Sequence, residues 1–126
     1  MNQQNSKFSE THEWVKTEDD VARIGISDYA QSELGEKVFV ELPKVGASVK
    51  KGEVFGTIES YKAVSDLVAP VSGEVAEVND AVAQDPEIIS QSPYENGWIV
   101  AIRMSDPKEL DELMTSDQYE AFLKEH

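Results

Sequence analysis

The sequence predicts a mainly β fold, a small sandwich or barrel, with short peripheral helices and a helical C-terminus. Short apolar runs that alternate with polar residues recur through the middle of the chain, and glycine, proline and polar turns separate them. Helix-start signals precede only short segments. A chain of 126 residues is large enough for one hydrophobic core, so we expect a single domain.

In four segments, residues of one face alternate with residues of the other, as in half-buried strands. Prolines end the first and the third of them. The second and third flank the connection Tyr61-Lys62-Ala63, which predicts a hairpin with Lys62 at its turn. The fourth follows the turn signal Asn96-Gly97 and is expected to be central and well buried. The predicted strands are residues 38–42, 54–59, 64–69 and 98–104.

The predicted helices are short and lie outside the strands. Ser27 can cap residues 28–34, and Gly35 follows where a positive φ angle suits glycine. Asp85 before a proline can start a brief turn over residues 85–89. Two helices are expected within residues 106–125, the second capped by Ser116. We expect them to cover one end of the sheet.

The acidic balance of the chain excludes two classes of partner. It carries 11 basic and 25 acidic side chains, a formal net charge of -14, which repels nucleic-acid phosphates and anionic lipid. No apolar run approaches the ~20 residues needed to span a membrane, and no secretory signal pattern is present. We therefore expect a soluble monomer of the bacterial cytoplasm. Its charge would steer it toward basic patches on other proteins.

The composition leaves little chemistry to the side chains themselves. Cysteine is absent, which excludes disulfides, thiolate nucleophiles and zinc–thiolate sites. The two histidines, His12 and His126, lie near opposite ends and are not spaced for a metal or for a base beside a nucleophile. We expect no metal site, and any redox chemistry must come from an added cofactor.

Lys62 is the candidate functional residue. It lies between two predicted strands, with Glu59 three residues before it and Asp66 four residues after it. A lysine amine is protonated at neutral pH and needs an activated acyl donor before it reacts. A hairpin turn supplies the exposure and fixed geometry that a modifying enzyme requires. Spacing alone favours an ordinary solvated lysine over a modified one.

Ordered motifs over residues 8–123 resemble the glycine cleavage H-protein family. Residues 59–66, E-S-Y-K-A-V-S-D, resemble its lipoyl-attachment motif E-S-V-K-A-x-S-D, with Tyr61 in place of valine and Val64 in place of alanine. Further blocks similar to those of the family follow the same order: T-H-E-W-V at 11–15, V-A-R-I-G-I-S-D-Y-A-Q at 21–31, L-G-E-K-V-F-V-E-L-P at 34–43, A-P-V-S-G-E-V at 69–75 with Asn79, and S-P-Y-E-N-G-W at 92–98.

The resemblance implies a fold, a cofactor and a role. The implied fold is the barrel-sandwich hybrid of lipoyl and biotinyl carriers, formed by residues 7–126 behind a disordered tail of residues 1–6. The implied cofactor is lipoic acid on Lys62. Its arm would carry the aminomethyl group of glycine from the pyridoxal-phosphate glycine decarboxylase (P protein) to the aminomethyltransferase (T protein), and dihydrolipoamide dehydrogenase (L protein) would reoxidise it. A cysteine-free carrier agrees with this, because a thiol could exchange with the arm's disulfide.

The resemblance also implies site residues. Glu59 and Gly73 match positions through which the lipoylating enzyme recognises the hairpin, although Glu59 also suits a solvent-facing strand position and Gly73 a turn that needs positive φ. Trp14 and Trp98 are expected in the core. Four residues match positions that line the cleft of the loaded arm: Thr11, Glu13, Glu33 and Asp66.

Other interpretations stay open at this stage. A lipoyl domain of a 2-oxoacid dehydrogenase also displays a hairpin lysine, but usually as D-K-A and before a linker and a catalytic domain. A biotin carrier would show M-K-M. An acidic enzyme has no candidate triad or phosphate loop to support it. Within the family, an H-like protein could relay lipoyl groups to other enzymes.

Overall fold

The computed structural model describes residues 6–125, which form two antiparallel sheets with short helices around them. This confirms the predicted mainly β fold class. In spatial order, the six-stranded sheet contains β1 (Lys7–Phe8), β2 (Glu13–Glu18), β3 (Val21–Ile26), β9 (Val100–Met104), β8 (Gly73–Val78) and β5 (Ser48–Val49). The three-stranded sheet contains β4 (Lys37–Glu41), β6 (Val54–Ser60) and β7 (Val64–Val68).

The helices are short, as expected. None of those within residues 6–125 is long and apolar enough to cross a membrane. The predicted disordered tail falls mostly on residues 1–5, which lie outside the described residues, whereas Ser6 is buried. The helices are α1 (Asp28–Leu34), α2 (Asp80–Gln84), α3 (Ile88–Gln91), a 3-10 helix (Pro107–Glu112) and α4 (Ser116–Glu125).

The core lies between the two sheets. One apolar cluster joins fully buried residues of the six-stranded sheet, such as Ile24 and Ile102, to residues of the three-stranded sheet, such as Ile58 and Leu67. Strand β9 lies between β3 and β8, so the prediction of a central, buried last strand is confirmed. It begins at Val100 rather than at residue 98.

A second cluster attaches α4 to β1 and β2. The rings of Phe8 and Tyr119 stack with centroids 4.5 Å apart, beside the buried Trp14. Burial raises the pKa of Tyr119 to about 12, and its hydroxyl lies 2.7 Å from the Ser27 Oγ. Trp14 is a core residue as predicted, whereas Trp98 is only half-buried.

The alternation predicted for residues 38–42 was wrong at its start. The register of β4 against β6 shifts between Lys37 and Phe39, and Val38 and Phe39 are both exposed. Val40 keeps the buried position that the alternation assigned to it, and Leu42 is partly buried against the core. A bulge inserts an extra residue and so turns the following side chain to the other face. Here Val38 lies in solvent, whereas Phe39 keeps the outward position that the alternation assigned to it.

Helix capping was predicted well at the first helix and less well elsewhere. The Ser27 Oγ accepts the N–H of Ala30, and Gly35 has a φ of 73°, as expected, although its ψ of -141° lies outside the left-handed helical region. Helix α2, which Asn79 caps, was not predicted. Of residues 85–89, residues 86–87 form a turn and residues 88–89 begin α3. At α4 the capping hydroxyl belongs to Thr115, which accepts the N–H of Gln118, and not to Ser116.

Candidate functional site

Strands β6 and β7 form the predicted hairpin. Glu59 pairs with Val64, and Thr57 pairs with Asp66. The hairpin closes where the N–H of Ser60 donates to the carbonyl oxygen of Ala63 at 2.8 Å. Lys62 lies at the turn, and its side chain is exposed. The position expected from the flanking strands is therefore the one observed.

The hydroxyl of Ser60 braces this turn. It accepts the backbone N–H groups of Lys62 at 3.3 Å and Ala63 at 3.2 Å, and it donates to the carbonyl oxygen of Ala63 at 3.2 Å. A serine hydroxyl has one donor and two acceptor sites, so these contacts use all of them. No role for Ser60 was predicted from the sequence. The signal was available, because serine hydroxyls commonly bond to backbone groups two or three residues onward in turns.

The segment after α1 supports the turn from the side. The backbone N–H of Tyr61 donates to the carbonyl oxygen of Glu36 at 3.3 Å. The Cε atom of Lys62 lies 3.7 Å from the point that a Cβ at Gly35 would occupy. The outer end of the Lys62 side chain therefore passes over the backbone of Gly35, where there is no side chain. Gly35 was predicted only as a helix end.

Lys37 lies at the edge of the same hairpin, paired in register with Ser60, and its side chain is buried. Its Nζ donates to the carbonyl oxygen of Gln31 at 2.8 Å, to the Oε1 of Gln31 at 2.8 Å and to the Oγ of Ser90 at 2.6 Å. Desolvation lowers its pKa, while the charge of Glu87 opposes that shift. The ammonium group thus connects α1 to α3 behind the hairpin. This role of Lys37 was not predicted from the sequence.

Glu13, which the resemblance places in the lining of a cleft, is only 1% exposed. Its carboxylate accepts the Oγ of Ser9 at 2.6 Å, the Oγ1 of Thr11, and the backbone N–H of Val68 at 3.0 Å. Burial raises the pKa of Glu13, and the hydrogen bonds from Ser9 and Thr11 act in the opposite direction. In this arrangement Glu13 joins β2 to β7, and it would have to exchange these partners to contact an arm.

The other predicted cleft residues are exposed but are spread along the hairpin and beside it. Thr11 lies with Glu13 near Val68, at the end of β7 far from Lys62, and lines a groove of about 370 Å³. Asp66 lies opposite Thr57 in the middle of the hairpin. Glu33 is on α1. The structure brings Thr11 and Glu13 together, and it gives no contact that joins them to Asp66 or Glu33.

Glu59 and Gly73, the two residues predicted to be recognised by the lipoylating enzyme, lie in different surroundings. Glu59 is exposed on the strand that leads into the turn. Gly73 begins β8, beyond the far end of β7, and its φ is 158°. A Cβ at Gly73 would lie 2.0 Å from the carbonyl oxygen of Arg103, far closer than any contact permits. Close approach of β8 to β9 therefore requires glycine there, independently of any recognition.

The fold and the site define a class of protein: a small β barrel-sandwich domain that displays one lysine on a braced hairpin turn. Within residues 6–125, no group of His, Asp or Glu side chains is arranged to hold a metal ion.

Comparison with known proteins identifies the family. The family described as "Glycine cleavage H-protein" matches residues 6–126. The chain is 54% identical over 119 residues to a glycine cleavage system H protein of Bacillus licheniformis, covering 94% of each chain, and 51% identical to that of Bacillus subtilis, with the same coverage. The crystal structure of an H protein from Mycobacterium marinum is similar with a TM-score of 0.90 and 37% identity, covering 96% of this chain and 98% of that one. The chain belongs to the glycine cleavage H-protein family, and its role lies in the glycine cleavage system.

Proposed function

We propose that this chain is the lipoyl-bearing carrier of the glycine cleavage system and that Lys62 holds the lipoyl group. The observation that carries the proposal is the exposed Lys62 at a turn whose backbone N–H groups are held by a buried Ser60 hydroxyl. A modifying enzyme needs both access to the amine and a fixed backbone around it. The amine also fits the group chemically, because an amide is the linkage that a lysine forms with a carboxylic acid.

Attachment requires an activated lipoyl donor. The Nζ of Lys62 first gives up one proton to water and becomes a neutral amine. It then forms a bond to the acyl carbon of the donor, displaces the donor's leaving group and loses a second proton to water. The lysine side chain thereby loses its positive charge. When attached, the lipoyl group supplies a disulfide that can take up and release the aminomethyl group of glycine.

The proposed partners follow from the family. We propose that the P protein loads the carrier, that the T protein unloads it and that the L protein reoxidises it, while a lipoylating enzyme prepares Lys62. The chain itself would contribute display and orientation and no catalysis. The net charge of -14 supports short visits to basic surfaces on these enzymes. The compared relatives are bacterial, which supports the bacterial cytoplasm as its compartment.

Six residues besides Lys62 retain proposed roles. Glu59, exposed beside the turn, is the proposed recognition carboxylate for the lipoylating enzyme. Thr11, Glu33 and Asp66 are proposed to contact the loaded arm, since each is exposed. Glu13 is proposed to act there indirectly, through its hydrogen bond with Thr11. A recognition role for Gly73 would come in addition to its structural one.

Intact-mass analysis tests the attachment. The apo chain is incubated with lipoate, ATP and a bacterial lipoate–protein ligase, and peptides are then mapped. We expect one added lipoyl group, on Lys62, and none on a Lys62→Arg variant. Lys44→Arg, which changes another exposed lysine near a turn, is the matched control and should be modified normally. An added group on any other lysine would contradict the proposal.

Reconstitution separates the carrier role from lipoyl relay. The lipoylated chain is mixed with P, T and L proteins from a bacterial relative, and release of labelled carbon dioxide from glycine is followed. We expect turnover that depends on the concentration of the carrier. If the lipoylated chain supports no release but donates its lipoyl group to another apo acceptor, the relay function replaces the proposed one.

A further inference from the structure

One tyrosine hydroxyl joins the C-terminal helix to the two segments that carry proposed arm contacts. The hydroxyl of Tyr119, on α4, lies 2.6 Å from the Nδ1 of His12 and 2.7 Å from the Oγ of Ser27. The ring of Tyr119 is buried and stacks on Phe8. Because burial raises the pKa of Tyr119 to about 12, the hydroxyl keeps its proton at neutral pH. It can therefore donate to one of these neighbours while it accepts from the other.

His12, the first of these neighbours, has an unfavourable backbone conformation. Its φ is 74°, a left-handed value that residues with a Cβ rarely adopt. His12 lies between Thr11 and Glu13, and with this backbone the hydroxyl of Thr11 donates to the carboxylate of Glu13. Such a conformation persists only where surrounding contacts hold it. The contact with Tyr119 holds the side chain of His12, and the backbone N–H of Ser27 donates to its carbonyl oxygen at 2.9 Å.

Ser27, the second neighbour, connects the same hydroxyl to helix α1. The Oγ of Ser27 accepts the backbone N–H of Ala30 at 3.2 Å and so caps the helix on which Glu33 lies. The Tyr119 hydroxyl therefore contacts both the loop that carries Thr11 and the cap of the helix that carries Glu33. These two segments are far apart in the sequence from α4, and one polar atom of α4 bonds to both.

We propose that Tyr119 is a positioning residue for the loaded arm, because its hydroxyl fixes the loop of Thr11 relative to the helix of Glu33. The inference rests on the proposed function and adds to it a residue of the C-terminal helix. A group held between two fixed segments is shielded from water, and small displacements of such segments weaken the shielding. The hydroxyl of Tyr119 thus acts on the arm through His12 and Ser27.

The test removes the hydroxyl and keeps the ring. In Tyr119→Phe the stacking on Phe8 is retained, and the contacts with His12 and Ser27 are lost. The matched control is Tyr29→Phe, because the ring of Tyr29 also contacts His12 but is 41% exposed. Both variants are made in the full chain, and thermal unfolding checks that they are folded.

The first measurement uses the chain without a lipoyl group. The backbone N–H of Val68 donates to the carboxylate of Glu13 at 3.0 Å, so its hydrogen exchange reports whether that carboxylate stays in place. We expect exchange at Val68 to be about fivefold faster in Tyr119→Phe, the size of effect expected from loss of one hydrogen bond. The control should exchange at the rate of the unchanged chain.

The second measurement uses the lipoylated chain. Each variant is loaded from glycine by a bacterial P protein, the P protein is removed, and formaldehyde is measured without T protein. Hydrolysis of the loaded arm consumes a water molecule and yields formaldehyde, ammonia and the dithiol of the arm, so its rate reports access of water. We expect release about fivefold faster in Tyr119→Phe and within about twofold of the unchanged chain in Tyr29→Phe.

A double-mutant cycle separates positioning from a general loss of stability. In a Thr11→Val background, Tyr119→Phe should change the release of formaldehyde by less than about twofold, because both substitutions disturb the same contact. A general loss of stability would act equally in both backgrounds.

Several results would overturn the proposal. Unchanged exchange at Val68 in Tyr119→Phe would show that the hydroxyl does not hold the loop. Faster exchange with unchanged release of formaldehyde, or an equal effect in the Thr11→Val background, would limit Tyr119 to packing. In each of these cases the unchanged chain is still lipoylated and loaded, so only the role of Tyr119 fails. An unchanged chain that the P protein cannot load would overturn the proposed function as well.

Discussion

The carboxylate of Glu13 accepts a hydrogen bond of 3.0 Å from the backbone N–H of Val68. Glu13 belongs to the six-stranded sheet, and Val68 ends the strand that begins next to the Lys62 turn. One buried side chain therefore connects the two sheets and anchors the far end of the hairpin. Its other acceptor positions are used by Ser9 and Thr11, so the whole N-terminal loop depends on it.

Replacement of Glu13 should be costly. In Glu13→Ala the donors of Ser9, Thr11 and Val68 lose their common acceptor, and truncation of a side chain that is 1% exposed also leaves a cavity. We expect the free energy of unfolding to fall by about 3 kcal/mol. Urea denaturation followed by tryptophan fluorescence measures it. Glu18→Ala, an exposed change on the same strand, should alter it by less than about 0.5 kcal/mol. Equal losses in the two variants would contradict a linking role for Glu13.

The pKa of Glu13 predicts a dependence on pH. Burial raises it above its ordinary value of 4.5, so the folded chain keeps this proton at pH values where the unfolded chain has lost it. The contribution of Glu13 to stability is therefore greatest below pH 4.5 and decreases as pH rises through the raised pKa. We expect the stability difference between the unchanged chain and Glu13→Gln to move in favour of the glutamine variant between pH 4 and pH 7. A movement in the opposite direction would show that the hydrogen bonds outweigh burial.

Loss of the Ser60 hydroxyl should loosen the turn. Ser60→Ala leaves the backbone N–H groups of Lys62 and Ala63 without their acceptor. We expect a loss of about 1 kcal/mol, seen as roughly fivefold faster hydrogen exchange at those two amides. Ser65→Ala, on the neighbouring strand β7, is the control and should leave their exchange unchanged. If Ser60→Ala exchanged at the original rate, the hydroxyl would not brace the turn.

Substitution of Gly73 distinguishes a structural role of this glycine from a role in recognition. In Gly73→Ala the new Cβ would meet the carbonyl oxygen of Arg103 and force β8 away from β9, with an expected loss of about 3 kcal/mol or more. Gly46 also has a positive φ, of 94°, but nothing lies within 4 Å of its Cβ position, so Gly46→Ala should cost only about 1–2 kcal/mol. Thermal and urea unfolding compare the two. A stable Gly73→Ala chain that is lipoylated slowly would instead favour recognition alone.

The buried ammonium of Lys37 should stabilise the packing behind the hairpin. Lys37→Met keeps the length of the side chain but removes the donors to Gln31 and Ser90. We expect a loss of about 2 kcal/mol in the free energy of unfolding, because a buried polar cluster loses one member while the others stay buried. Lys44→Met, at an exposed lysine, should have little effect. An unchanged or higher stability of Lys37→Met would show that desolvation of the ammonium cancels its hydrogen bonds.

Much of the site follows from local sequence. Apolar and polar residues alternate on either side of a short polar connection, which predicts the hairpin and puts Lys62 at its turn. The Ser27 cap follows from the preference of serine hydroxyls for the first free N–H groups of a helix. The family resemblance adds the lipoyl group and Glu59. These features depend on residues close together in the chain, so the sequence contains them directly.

Tertiary structure alone decides which polar groups are buried and which apolar groups stay outside. Glu13 and Lys37 are ordinary charged residues in the sequence, and they become buried because Val68, Gln31 and Ser90 supply their partners from other elements. The exposure of Val38 depends on a bulge in β4, and the alignment of Glu59 with Phe39 and Val64 depends on the pairing of three strands; local periodicity encodes neither. The sequence by itself thus determined the lysine and its hairpin, whereas packing between distant segments decided the surface that a partner meets there.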